Sequence, residues 1–375
     1  MIKKIRKYIN IVILKFIYFI FSPFIKIDNK LILFSSLNGK FSDNAKYLYL
    51  KTIEETRFKA YWVAHEQKTY ALLKSKNMPV LKLNYKIFIT AIKSRLFITT
   101  HNYQDVFFIK NKKTNVINLW HGTPLKKMGY DSKVDAKRLH FKEKFGINEY
   151  KNIDYLCVSS RLTIPSFKSS FNIAEDKLLP TGLPRNDVLQ NANADTKYAK
   201  KIKEKVKSIL NTKSEKIALY APTFRDYHVP RFDLIKNLKE IFMQNNIELV
   251  IKLHPLDKDY LYFKQINIDI QELLIASDLL VSDYSSIFFD YAILGRPIIL
   301  FLYDLAAYKF QRNGFYIETE SLPFLKCYNL EQINETLKTV FGLDTSKIRE
   351  FGIKYNRSGC ASCRIIKLME KITKN

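Results

Sequence analysis

Four short polar clusters in this 375-residue sequence each sit directly behind an apolar run. That is where a parallel sheet offers side chains to a ligand. The first is Trp120-His121-Gly122-Thr123-Pro124. A neutral imidazole near pH 7 can take the proton of a hydroxyl nucleophile. Gly122 permits a close approach of backbone to ligand. A histidine that only caps a strand is the plain alternative; the Gly-Thr-Pro context and the position favour the base. The second is Lys252-Leu253-His254-Pro255. Strand alternation puts Lys252 and His254 on one side, and such a pair suits phosphate oxygens. An edge-strand pair facing water is the other reading.

The third cluster is Ser282-Asp283-Tyr284-Ser285-Ser286, with Asp290 one helical turn on. A strand stops there and a helix starts. Hydroxyls and unbonded N–H groups at that junction form an anion site. Asp283 or Ser285 can cap the same helix without conflict. The fourth is Ala221-Pro222-Thr223-Phe224-Arg225, in which Thr223 and Arg225 could reach a phosphate or a ribose. Arg185, in the run TGLPRND, either closes over the same cleft or makes a domain-interface ion pair.

Positioning these clusters requires a particular scaffold. Short apolar runs at 31–34, 60–64, 79–83, 96–100, 116–120 and 154–159 read as strands, with helical periods between several of them. A helix capped by Asp43 follows the first run. After a polar, Lys-rich stretch the rhythm restarts, with strands at 216–222, 247–255, 278–283 and 297–302. Repeated βαβ units imply parallel sheets covered on both faces. The expected architecture is therefore α/β, with two Rossmann-like doubly wound domains facing a cleft. Its expected segments are 1–27, 28–190, a connection at 191–215, 216–345, and a C-terminal helix at 346–375.

Composition narrows the classes. Hydrophobic residues make up 47% of the chain, enough for real cores, so wholesale disorder is excluded. Lys and Arg number 62 against 36 acidic residues, a net charge of +26. AT-rich coding explains part of that excess, and an anionic partner the rest. Nucleic acid is not the expected partner, because no nucleic-acid fold or stacking platform is recognisable. There is no Walker A loop, no GxGxxG and no GxSxG elbow. Asp257-Lys258-Asp259 has the DxD form of some metal sites but reads as a solvated loop. Four cysteines make no disulfide framework at this length, and Cys360 and Cys363 lack a second pair for zinc. No metal is expected, and a reduced, cytoplasmic setting fits.

Residues 1–27 combine a basic start (Lys3, Lys4, Arg6, Lys7) with an apolar stretch to Ile25. A secretory signal lacks its small-residue cleavage site. A spanning helix is interrupted by Asn10 and Lys15. An ordinary buried helix and an interfacial helix stay open. The narrow polar stripe of Lys4, Tyr8, Lys15 and Ser22 favours a segment lying on an anionic membrane surface. Directly after the first cluster, residues 126–144 are densely basic. A solvated helix face is one reading. The other has Lys126, Lys127, Lys137 and Arg138 guiding a polyanionic or lipid-pyrophosphate acceptor.

Taken in order, NLWHGTPLKKMGYD, TGLPRND, APTFR, KLHP and SDYSSIFFDYAILGRPIILFLYDLAAY resemble the CDP-glycerol:polyol-phosphate glycerophosphotransferases of teichoic acid and capsule synthesis. SSLNGKFSDNAKYLY resembles the start of their catalytic unit, so the likeness spans about residues 31–365. It implies a GT-B fold, an N-terminal acceptor domain, a C-terminal donor domain and a CDP-polyol donor in the cleft. The acceptor it implies is a lipid-linked saccharide or a polyol-phosphate polymer. His121 and His254 match the family's two catalytic histidines, with His121 as the base. Donor contacts fall at Gly122, Thr123, Pro124, Leu125, Arg185, Thr223, Phe224, Lys252 and Asp269. Ser285 and Ser286 are added on the helix-terminus argument. The chain departs from the family at 358–364, where SGCASCR replaces a tail like GNASER, so the cysteines look like local substitutions. Its size is that of the single-unit, primase type. Two other functions stay open: a GT-B glycosyltransferase using a nucleotide sugar, and a non-catalytic membrane-bound scaffold.

Overall fold

The computed structural model describes residues 13–14, 16–145, 148, 150–225, 231–253, 257, 262–263, 266–311 and 314–374. Two parallel sheets organise it. The first contains β1 (Asp28–Phe34), β2 (Lys59–Ala64), β3 (Val80–Lys82), β4 (Ser94–Thr99), β5 (Asn115–Asn118), β6 (Tyr155–Cys157) and β7 (Leu178–Leu179). Their order is β3-β2-β1-β4-β5-β6-β7. The second contains β8 (Lys216–Tyr220), β9 (Ile247–Ile251), β10 (Leu279–Ser282), β11 (Ile298–Phe301) and β12 (Leu325–Cys327), ordered β12-β11-β10-β8-β9.

Burial on both faces explains why the strands read as unbroken apolar runs. Ile32, Leu33 and Phe34 of β1 are wholly buried, as are Ile298 to Phe301 of β11. Each sheet reverses its strand order once, between β1 and β4 in the first and between β8 and β10 in the second. A reversal sends neighbouring crossovers to opposite faces and opens a crevice at the strand ends. The loops after β4 and β5 therefore face those after β8 and β10.

Two local details differ from the sequence reading. Helix Asp43–Glu55 starts at Asp43 with Ser42 as its cap residue, so Asp43 stands inside the first turn. The region 346–375 holds two helices. Ser346–Tyr355 packs on the second domain, where Phe351 lies 5.3 Å from Phe289. Ala361–Lys374 returns to the first, burying Ile365, Ile366, Met369 and Ile372 beside Ile32 and Leu96. The Lys-rich stretch is mostly helix Thr196–Leu210, capped by the Asp195 carboxylate and tied to the second domain through Lys203–Asp278.

Candidate active site

The chain leaves β5 through a strained turn. Trp120 has φ +50°, a left-handed conformation that a bulky aromatic rarely adopts. Three hydrogen bonds hold it there. Trp120 N donates to Asn118 Oδ1 (2.8 Å), and Asn44 Nδ2 donates to the carbonyls of Leu119 and Trp120 (3.3 and 3.0 Å). The turn sets the His121 ring against two others. His101 stacks on it at 4.3 Å and 6°, and Trp120 lies 4.0 Å away.

His121 Nδ1 lies 3.3 Å from the Thr100 carbonyl. A carbonyl only accepts, so Nδ1 carries the hydrogen and Nε2 keeps its lone pair. Burial pulls the His121 pKa below its ordinary value, against the pull of the Asp43 carboxylate. Burial also pushes His101 down to about 4, with His121 adding to the effect. Both rings are neutral near pH 7, which is the form a base needs.

Gly122 is one of the places where the two domains touch. A Cβ there would sit 2.7 Å from Ser286 Oγ and 3.5 Å from Arg185 Nη2, so space dictates glycine. Arg185 is the nearby clamp. Its Nη1 bonds Asp43 Oδ1 and the His121 carbonyl (both 2.8 Å), and its Nη2 pairs with Asp290 Oδ2 at 2.8 Å. Of the two readings of Arg185 the structure shows the interdomain ion pair; Arg185 also braces the His121 backbone, and it is not among the residues lining the cavity. Asn186 reinforces the joint through Asp290 and Asn356 (both 3.0 Å).

A cavity of about 740 Å³ opens at this junction. Trp120, His121 and Gly122 line one wall; Pro222, Thr223, Phe224, Ser285 and Ser286 line the other. Thr223 Oγ1 is buried with no hydrogen-bond partner among the described residues, while Thr223 N is held by Asp283 at 2.8 Å. Thr123, Pro124, Leu125, Lys126, Lys127 and Arg138 also line the cavity; Lys137 is exposed and does not. The loop is stitched across the cleft: Tyr316 N donates to the Leu125 carbonyl (2.8 Å), and Lys127 N to the Gly314 carbonyl (3.2 Å).

Other expectations change once the chain folds. Arg225 cannot reach a ligand: Asp283 and Asp304 hold it at 2.8 and 2.7 Å, and it is 5% exposed. Helix Ile287–Tyr291 is only five residues long and continues as a 3-10 turn, so the dipole behind Ser285 and Ser286 is small. Asp269 lies outside the lining of this cavity. It bonds Lys46 and Tyr47 of the first domain, both at 2.5 Å, and caps helix Ile270–Ala276. Burial raises its carboxyl, but Lys46 and Tyr47 outweigh that and hold it below the ordinary range. Lys252 Nζ donates to the Ile266 carbonyl (2.9 Å), with its pKa lowered by burial. His254, Lys258 and Asp259 lie outside the described residues. Asp257 is buried in an ion pair with Arg231 rather than solvated. Cys360 and Cys363 are joined in a disulfide, where the sequence suggested two unlinked substitutions.

His101, Asp43 and Asn44 escaped the sequence reading as site residues. His101 carries the same signal as His121, a histidine straight after an apolar run. Asp43 and Asn44 have no such signal, since only folding brings them to Arg185 and Trp120.

A two-domain GT-B-like transferase is the class that this fold and cleft define. The chain belongs to the CDP-glycerol:poly(glycerophosphate) glycerophosphotransferase family, whose model matches residues 17–370. It is 31% identical to the teichoic acid glycerol-phosphate transferase of Staphylococcus aureus (strain NCTC 8325 / PS 47), over 86% of this chain and 87% of that one. It is 32% identical to the teichoic acid glycerol-phosphate primase of Bacillus subtilis (strain 168), over 80% and 79%. A histidine variant of the wall teichoic acid polymerase TagF, soaked with CDPG, superposes with a TM-score of 0.81 at 26% identity, covering 99% of this chain and 97% of that one. The chain is accordingly an enzyme, a glycerophosphotransferase with CDP-glycerol as donor.

Proposed function

We propose that this enzyme moves glycerol phosphate from CDP-glycerol to a hydroxyl of a lipid-linked saccharide or growing polyol-phosphate chain in teichoic acid or capsule synthesis. The observation that carries the reading is the His121 ring, fixed by Thr100 with its Nε2 lone pair unused among the described residues, beside the Gly122–Ser286 contact. The acceptor hydroxyl gives its proton to Nε2 as its oxygen attacks the β-phosphorus, and CMP leaves. Thr223, Ser285 and Ser286 line the cavity, Thr223 Oγ1 with no partner among the described residues, and are assigned to the donor's phosphates. Lys252 and His254 are assigned to the same charge from the sequence pattern. Lys126, Lys127 and Arg138 line the cavity and Lys137 is exposed; all four are assigned to guiding the acceptor from the sequence pattern. Positioning and electrostatics supply the acceleration, without a covalent intermediate.

The test is a panel of CDP-polyols and nucleotide sugars with lipid-linked and polyol-phosphate acceptors. Acceptor-dependent CMP from CDP-glycerol is the expected result, and the acceptor that supports it is identified at the same time. Release of a nucleoside diphosphate from a nucleotide sugar would replace the reading with sugar transfer.

A peripheral site on the cytoplasmic face of the membrane belongs to the same proposal. No helix among the described residues is long and apolar enough to cross a membrane. Residues 16–21 are helical. Leu14, Ile17, Tyr18 and Ile25 pack on the cluster containing Ile87 and Phe88, while Phe19 and Phe24 are 78% and 84% exposed. Tyr85 and Ile89 are exposed as well. Such a patch suits insertion into a headgroup layer. Flotation with anionic vesicles, lost on Phe19→Ser with Phe24→Ser, checks it.

A further inference from the structure

The start of the C-terminal helix carries chemistry that glycerophosphate transfer does not use. Helix Ala361–Lys374 begins where the chain returns from the second domain to the first. A helix start leaves N–H groups in need of acceptors. Here Ala361 N and Ser362 N donate to the Asp187 carboxylate (2.7 and 2.9 Å). Cys363 N donates to Cys360 Sγ at 3.0 Å. Cys360 therefore occupies the cap position and Cys363 the third helical position. In many helices those two places hold side chains that bond each other's backbone. In this chain a covalent S–S bond joins them.

The crossing is wired to the catalytic loop. Gln190 bonds Gly359 N (2.7 Å) and the Arg357 carbonyl (3.2 Å). Arg364 reaches the Thr181 carbonyl and Arg357 the Pro180 carbonyl, both at 2.7 Å. Those carbonyls open the loop whose Arg185 braces His121. A second cavity, of about 640 Å³, is lined by Cys360, Cys363, Asp187, Gln190 and Tyr47. It shares no lining residue with the cavity at His121. Cys157 and Cys327 are buried and unpaired, so the thiol chemistry open to a reagent is concentrated at this one place.

We propose that Cys360–Cys363 is a reversible dithiol–disulfide exchange site, reached through this cavity, whose state sets how firmly the helix start and the interdomain crossing are held. The partner is a dithiol. Its thiolate attacks Cys363 Sγ, and Cys360 leaves as the thiolate to which the Cys363 N–H already points. The partner's second thiol then closes its own disulfide and frees Cys363. Two electrons pass to the pair, two protons end on Cys360 and Cys363, and the dithiol becomes a disulfide. Attack on Cys363 is preferred because the Cys363 N–H, a helix-start donor that Asp187 does not take, already bonds Cys360 Sγ and stabilises it as the departing thiolate. Once reduced, the crossing keeps the Asp187 bonds and loses its covalent loop.

Iodoacetamide labelling of the native full-length enzyme tests this, followed by intact mass and peptide mapping. One arm uses dithiothreitol and another a reduced thioredoxin; labelling in the second identifies a protein dithiol as a competent source. The oxidised enzyme takes no label. After reduction two labels appear, on Cys360 and Cys363, and reoxidation removes the reactivity. Amide exchange at Ala361–Arg364 then speeds about tenfold on reduction, while β1 and β4 are unchanged. The double variant Cys360→Asn with Cys363→Glu restores a side-chain cap and loses the response to reductant. Labels before any reductant, no labels after it in the native protein, unchanged exchange, or a response that survives in the double variant would each overturn the proposal. None of these readouts depends on the donor or acceptor.

Discussion

The ends of β5 and β8 make an instructive pair. Both carry a titratable or charged side chain a few residues past the carboxyl end of the strand. After β5, His121 is gripped by two rings and one carbonyl, yet it lines an open cavity. After β8, Arg225 is sealed between Asp283 and Asp304, with its guanidinium 5.0 and 4.9 Å from the Tyr284 and Tyr308 rings. One group is oriented and left, among the described residues, with an unused lone pair; the other is held by two carboxylates and two rings. Residue type and place in the chain are alike in kind. What separates a reactive group from a structural one is whether its neighbours consume its bonding capacity.

The comparison can be broken or sharpened by mutation. His121→Asn should cut turnover about 10²–10⁴-fold, the usual weight of a general base. Its melting temperature and CDP-glycerol affinity should hardly move; an equal loss of affinity would make His121 a binding residue. Arg225→Met should do the reverse. It strands two buried carboxylates, at a cost of about 3–5 kcal/mol, read as a lower denaturant midpoint. Activity lost without instability would place Arg225 in the site after all.

Gly122→Ala should come next in size. Its Cβ would meet Ser286 Oγ at 2.7 Å, and overpacking of this kind costs about 1–3 kcal/mol. The denaturant midpoint should fall and KM for CDP-glycerol should rise; Ser286→Gly in the same chain should recover part of the lost stability but not the KM, because it removes a hydroxyl assigned to the donor. The smallest effect concerns pH. His101 falls to about 4 when folded, from an ordinary 6.5. Between those values the unfolded chain binds more protons, so stability rises with pH there. The contribution is complete above pH 6.5 and is lost as pH falls towards 4. Urea titrations across that window should show a shallower slope for His101→Phe than for the parent.

Much of the scaffold was legible because parallel strands buried on both faces must be written as apolar runs. The runs at 31–34, 60–64, 216–222 and 297–302 all became strands. His121 was legible for a related reason: the end of such a run is where a sheet meets its ligand. The helix start at Ala361 was not. Its two cysteines read as ordinary substitutions until the chain crossed back and placed Asp187 on the same N–H groups.

By itself, then, the sequence determined the α/β class, the doubled βαβ rhythm and the residues gathered at the strand ends, since local periodicity and strand polarity suffice for those. Only the tertiary structure decided which of these residues face the cavity. Arg225 was turned inward by carboxylates 58 and 79 residues away. Asp269 was drawn to Lys46 and Tyr47, more than 200 residues earlier in the chain. Gly122 was pressed against Ser286 of the other domain. A side chain's partners are set by which distant strand ends meet, and no local pattern encodes that meeting.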